Sequence, residues 1–233
     1  MPIHLRSAAI RDLELAGRAA TWLEIEGPST AADPLESLFD ALEQALAERD
    51  FTFADVVRSR MTAATREGRA AASAVRLRRL SIPFPCATSS YIDPSAFEGP
   101  DGIRLATLAV RGAEADKSAV PHAPSPPPWK FVATGELAFL SGITSPADGF
   151  DTQLPEIRAR VLATLAMAGE RIGRPVRPTT VSAYVGRSVA LGTIGDLAAR
   201  VGLAGTAIVV RRCDGFATPT SLIEIEIDAT PGV

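Results

Sequence analysis

A chain of 233 residues with 46% hydrophobic side chains and a net charge of −3 has room for two ordinary domains. Its acids and bases are interspersed, which argues against a nucleic-acid surface, and no apolar run approaches the roughly 20 residues that span a bilayer. Two cysteines, Cys86 and Cys213, are too few for a disulfide framework, and Met1-Pro2-Ile3-His4-Leu5-Arg6 leads into no apolar signal segment, so a cytoplasmic location is expected.

The first predicted element is a hairpin over 13–26 that turns at Gly17. Pro34 opens a helix whose Leu35, Leu38, Leu42 and Leu46 share one stripe. A strand over 56–62 follows, with Val57, Ser59 and Met61 expected on one face. An alanine-rich helix over 68–80 carries Arg76-Leu77-Arg78-Arg79, read as decoration of a solvated face. Strands over 88–92 and 103–110 complete the first half.

Pro121, Pro124, Pro126, Pro127 and Pro128 crowd the stretch from Ala113 to Pro128. Such a stretch holds neither a helix nor a central strand and reads as a semi-rigid linker. Beyond it comes a hairpin over 131–144 with Gly135 answering Gly17. A helix over 151–172 follows, its Leu154, Ile157, Val161, Leu162, Leu165 and Ala168 at helical spacing. A β-branched strand over 180–185, a helix over 194–201 capped by Gly202, and strands over 206–211 and 221–229 end the chain. Each half thus runs β-β-α-β-α-β-β. The repeat offset of roughly 120 residues marks a duplicated domain rather than a solenoid unit. The expected layout is a domain over 1–112, a linker over 113–128 and a second domain over 129–233.

Metal chemistry finds little support, because His4 and His122 are the two histidines and neither stands at ligand spacing from a cysteine or carboxylate. Gly192, Gly195 and Gly202 fall in a helical segment, not after a strand, so they form no phosphate loop. Cys86 has no convincing histidine partner for nucleophilic catalysis. Cys213, beside Arg211 and Arg212 at a strand end, reads as incidental. The last strand is more informative. Ile223, Ile225 and Ile227 face one way, while Leu222, Glu224, Glu226 and Asp228 face the other. The isoleucines suit a helix-covered face. The acids suit either a solvated face or the lining of a cleft.

Three stretches, with the element order, carry a resemblance that covers nearly all of both halves. Leu140-Ser141-Gly142, Phe84-Pro85-Cys86-Ala87-Thr88-Ser89 and Leu222-Ile223-Glu224-Ile225-Glu226-Ile227-Asp228-Ala229 resemble motifs of the Rid/YjgF (RidA-like, L-PSP-like) family. The resemblance implies an α+β fold of two chorismate mutase-like domains, each a mixed sheet with two helices on one face. It also implies clefts between neighbouring units, with Glu224 lining one. In members that hydrolyse enamines and imines, an arginine of the Ala-Arg-Ser segment grips the substrate carboxylate with its planar fork. A glutamate matching Glu224 positions or activates water; a carboxyl in a desolvated cleft can shuttle protons near neutrality.

This chain departs from that pattern. Ala87 or Thr88 stands at the arginine's place in the first half, and Gly205 or Thr206 in the second. Arg104 replaces the glutamate in the first half. The resemblance therefore implies Glu224 as the catalytic group, with Ser141, Gly142, Gly205, Thr206 and Trp129 around the substrate. Arg187 or Arg104 would serve as the substitute cation. The expected activity is acid-base hydrolysis, deamination or rearrangement of an enamine, imine or related metabolite, without metal or cofactor. The alternative is a non-catalytic metabolite-binding or assembly protein. A homo-oligomer is expected, three tandem chains stacking two rings, with a dimer as the second option. Chorismate-cleaving enzymes are similar in duplication and in the terminal strand, but Thr218-Pro219-Thr220 stands where they carry a cysteine-arginine pair, and this chain is shorter.

Overall fold

The computed structural model describes residues 7–28, 34–122 and 129–232. In the first half, β1 (Ser7–Leu15) and β2 (Arg18–Pro28) form a hairpin whose two turn residues, Ala16 and Gly17, both have positive φ, as a tight two-residue turn requires. Helix α1 (Pro34–Ala47) fully buries Leu38, Phe39, Leu42 and Leu46. Next come β3 (Val56–Ala63), α2 (Arg66–Arg76), β4 (Ala87–Ile92) and β5 (Gly102–Val110). The Thr65 hydroxyl caps α2 by accepting from the Gly68 amide. The helix then widens into a π turn over Leu77–Ser81.

The second half comprises β6 (Ser118–Pro121), β7 (Trp129–Thr134), β8 (Leu137–Ile143), α3 (Phe150–Ile172), β9 (Val176–Gly186), α4 (Leu197–Arg200), β10 (Val209–Cys213), β11 (Gly215–Phe216) and β12 (Ile223–Pro231). One six-stranded sheet runs β1-β2-β5-β3-β4-β11 and the other β10-β9-β12-β8-β7-β6. Both are mixed: β3 and β4 are parallel, as are β9 and β10, within otherwise antiparallel ladders. The expected α+β class stands.

Each sheet buries one face under its own helices. Leu38, Leu42 and Leu46 of α1 and Val75 of α2 pack on Leu23, Met61, Ile103 and Leu105. Leu154, Ile157 and Val161 of α3 pack on Ile223, Ile225 and Ile227. The other faces meet one another. Ala20, Val57, Ala87 and Leu108 of the first sheet cluster with Leu137 and Phe139 of the second. Beside them Tyr91 stacks on Tyr184, ring centroids 3.6 Å apart at 13°.

Three local expectations change, and one short strand was not expected. The helix over 194–201 reduces to a 3-10 turn, Leu191–Ile194, and the single turn of α4. Asp196 between them is left-handed, with φ 53°, which interrupts a continuous helix. Ser118–Pro121, within the stretch read as a linker, is an edge strand paired with β7, a position that tolerates proline. Val57 does not share a face with Met61. A register shift between Val56 and Arg58 inserts an extra residue, so Val57 turns to the sheet junction while Met61 stays under the helices. The strand not expected is β11, which lies in the second half of the chain but pairs with β4 of the first sheet, Phe216 opposite Tyr91.

Candidate active site

The acidic face of β12 is not solvated. Glu224 is 4% and Glu226 2% exposed, both on the face of β12 that side chains of β3 and β4 reach. Glu226 is held ionised. Arg60 donates to both its oxygens, the hydroxyls of Ser89 and Tyr91 donate to Oε1 (Tyr91 at 2.5 Å), and Arg58 Nη1 lies 3.6 Å from Oε2. Burial alone would raise its pKa, but Arg60 and Arg58 outweigh it and bring the carboxyl down to about 2. Arg58 also bridges the halves, donating to Asp228 Oδ1 at 2.6 Å and to the Leu140 and Ile227 carbonyls at 3.1 and 2.9 Å.

Glu224, two residues away on the same face, has the opposite character. Burial first, then the negative charge of Glu226, pushes its pKa up to about 8, against the pull of Tyr91, Arg76 and Arg60. Its Oε1 is buried without a hydrogen-bond partner. At neutral pH the site therefore holds one protonated and one ionised carboxyl, the division of labour that acid-base chemistry uses.

Gly142 makes room for this acid. A Cβ there would sit 1.9 Å from Glu224 Oε1, so the carboxyl lies against the bare backbone of β8. On the far side of Gly142 opens a cleft of about 360 Å³, lined also by Thr88, His122, Lys130, Ser141 and Arg160, within the roughly 300 to 1,000 Å³ typical of ligand pockets. Ser141 Oγ accepts from the Thr88 amide at 3.0 Å, which joins the halves at the cleft floor. A larger cavity of about 660 Å³ lies along the sheet junction, over Arg58, Arg60, Tyr91, Tyr184 and Glu226. Its carboxylates are already paired: Glu226 with Arg60, Asp228 with Arg58, Glu24 with Arg104 and Asp93 with Arg187. The smaller cleft has no lining carboxylate, and it adjoins the protonated acid.

No known family's sequence profile matches the chain, and no curated protein matches it. In three dimensions it is similar to a crystal structure of chorismatase, with a TM-score of 0.65 and 16% identity, covering 94% of this chain and 79% of that one. The chain shares the fold of that structure. Single-unit structures cover half of it: a YjgF-family member from Mycobacterium tuberculosis (20% identity, 49% of this chain and 99% of that one, TM-score 0.40) and a protein of unknown function from Pseudomonas aeruginosa (21%, 50% and 94%, TM-score 0.39).

Within this fold, Glu224, Ser141 and Gly142 come together, with Thr88 of the first half opposite Ser141. The other expected residues do not join them. Gly205 is exposed in a turn, with φ 81°, and neither it nor Thr206 lines either of these two cavities. Trp129 packs at the junction and donates its indole N–H to the Ser81 carbonyl at 2.8 Å. Arg187 is tied to Asp93 and Asp214 at 2.9 and 3.2 Å. Arg104 pairs with Glu26 and Glu24 of its own sheet rather than with the second half, and lines only the larger cavity.

Among the cations within electrostatic reach of Glu224 are Arg76 and Arg60. Arg76, expected on a solvated face, is 8% exposed. It donates to the Ser59 and Ser89 carbonyls at 3.3 and 2.7 Å, within electrostatic reach of Glu224. Arg79 of the same run meets Glu36, Asp40 and Glu43 of α1. Lys130 and Arg160 reach the cleft from β7 and α3. One signal was available: Arg58 and Arg60 alternate on a buried strand as Glu224 and Glu226 do on another. Two such strands of opposite charge can bury their polar faces only against each other. Among the described residues no cluster could hold a metal ion, and no helix is long and apolar enough to cross a membrane.

Proposed function

We propose that the chain is a small-molecule enzyme in which Glu224 donates a proton to a carboxylate-bearing enamine, imine or related metabolite lodged against Ser141 and Gly142. What supports this reading is a buried carboxyl with a raised pKa and an unpartnered oxygen, packed against Gly142, a residue that also lines a cleft carrying Lys130 and Arg160. For an imine, the Glu224 proton goes to nitrogen and makes the carbon electrophilic. Water adds to that carbon and returns a proton to Glu224. Glu224 then gives that proton to the nitrogen, the C–N bond breaks as the hydroxyl loses its own proton to Glu224, and a carbonyl and ammonia are left. Glu226 stays ionised throughout and opposes loss of the Glu224 proton to bulk solvent.

The test is turnover of a panel of small carboxylate-bearing imines and enamines by wild type and Glu224→Gln. Glutamine keeps the shape of the protonated acid but transfers no proton, so the rate should fall by about 10²- to 10⁴-fold with unchanged fold and oligomer. Equal turnover by both proteins refutes the assignment and leaves the non-catalytic reading. Self-association fits the open side of the junction, where the edge strands β1 and β10 leave Ile10, Leu13, Val209 and Val210 41–51% exposed. A trimer is the form we favour, and light scattering that finds a monomer would count against it.

A further inference from the structure

The arginine that would hold a substrate carboxylate is absent at Thr88, yet the same cleft carries other cations. Lys130, half-buried on β7, has no ion-pair or hydrogen-bond partner among the described residues. Arg160 on α3 spends one nitrogen on the Thr144 carbonyl, at 2.6 Å, and its other terminal nitrogen stands 3.8 Å from Glu156 at the rim, where both side chains are about half exposed. That rim pair is worth little in water. His122 completes the group from the end of β6, and its pKa is lowered by burial and by the nearby charges of Lys130 and Arg160. Ile143, Ala163 and Met167 supply the apolar wall. Three bases face one small cavity without a lining acid, in a chain whose net charge is −3. Lys130 is half-buried while Arg160 and His122 stand exposed at the mouth; the charges of Lys130 and Arg160 repel each other, and an anion placed between them relieves the repulsion.

We infer that Lys130 and Arg160, with His122 beside them, are the anion clamp of this cleft, and that its ligand is a small aliphatic carboxylate whose chain lies on Ile143, Ala163 and Met167. The inference rests on the proposed function for the identity of the site, but binding alone can test it. The clamp has moved from the strand that carries Thr88 in the first half to β7 and α3 of the second. A single half thus supplies both the proton donor and the substrate grip, while the first half contributes the floor at Thr88.

The experiment titrates the intact protein with butyrate and, as its uncharged analogue, 1-butanol. The His122 ring proton is followed by NMR, assigned through its loss in His122→Asn. Butyrate should saturate and raise the His122 pKa, and butanol should not. Lys130→Met should weaken butyrate binding by roughly tenfold, and Lys130→Arg should keep it, which separates loss of charge from loss of fold. No saturable butyrate effect, or one that butanol reproduces, overturns the clamp. Glu224→Gln should bind butyrate like wild type. Butyrate binding together with full turnover by Glu224→Gln would sink the proton-donor reading while leaving the clamp in place.

Discussion

Replacing Glu224 by glutamine should change how stability depends on pH, and the size of the change follows from the burial of one proton. In the unfolded chain this carboxyl ionises near its ordinary value of 4.5, whereas in the folded protein it holds its proton up to about 8. Between those values the folded state binds more protons than the unfolded state, so stability falls as the pH rises through the window. The slope is about 1.4 kcal/mol per pH unit, so from about pH 5 to about pH 7.5 wild type should lose roughly 3 kcal/mol through this group. Glutamine cannot titrate, and the other groups contribute nearly equally to both proteins. The stability of Glu224→Gln minus that of wild type should therefore rise by the same amount. Urea unfolding at several pH values measures it, provided the two proteins share an m-value. Parallel stability curves across this window would mean that Glu224 is ionised in the fold, and the argument for a proton donor would collapse with it.

Glu226 should act in the opposite sense. Its pKa is depressed to about 2, so it contributes stability above about pH 4.5 that disappears as the pH falls toward 2; Glu226→Gln should flatten that acid limb in the same urea series. Arg58→Ala leaves Glu226 and Asp228 without a shared cation and two carbonyls without a donor, and should cost about 3 to 5 kcal/mol, visible as a lowered urea midpoint. Gly142→Ala drives a methyl against the Glu224 carboxyl, whose flexible end can give way; turnover should drop far more than thermal stability, and an unaffected rate would show that the carboxyl's position is immaterial. The rate itself should decline about tenfold per pH unit above about pH 8, as the donor loses its proton; a flat profile to pH 10 would point to another acid.

The order of elements was legible because each depends on neighbouring residues. The leucine stripe of α1, the turn at Gly17 and the isoleucine face of β12 appear where periodicity and turn chemistry place them. Departures arise where a local rule met a distant partner or a single backbone conformation. The left-handed Asp196 cuts the second helix to one turn, the bulge at Val57 reverses part of β3, and β11 of the second half pairs with β4 of the first sheet. At the site, Glu224, Ser141 and Gly142 were grouped by the family resemblance, and they meet because β8 and β12 are neighbours in one sheet. Arg187, Arg104, Gly205 and Thr206 were grouped by chain position, and they separate because each finds a nearer partner or an exposed turn.

What the amino-acid sequence determined by itself is the duplicated α+β unit and the pairing of an apolar with an acidic face on the last strand. Tertiary structure alone decided which carboxyl keeps its proton. Glu224 and Glu226 are the same residue type two positions apart on one face, and what separates them is that Arg58 and Arg60 arrive from the other half of the chain to meet Glu226. The charge state of a buried group depends on the charges and the solvent left around it, and those neighbours come from strands far away in the chain.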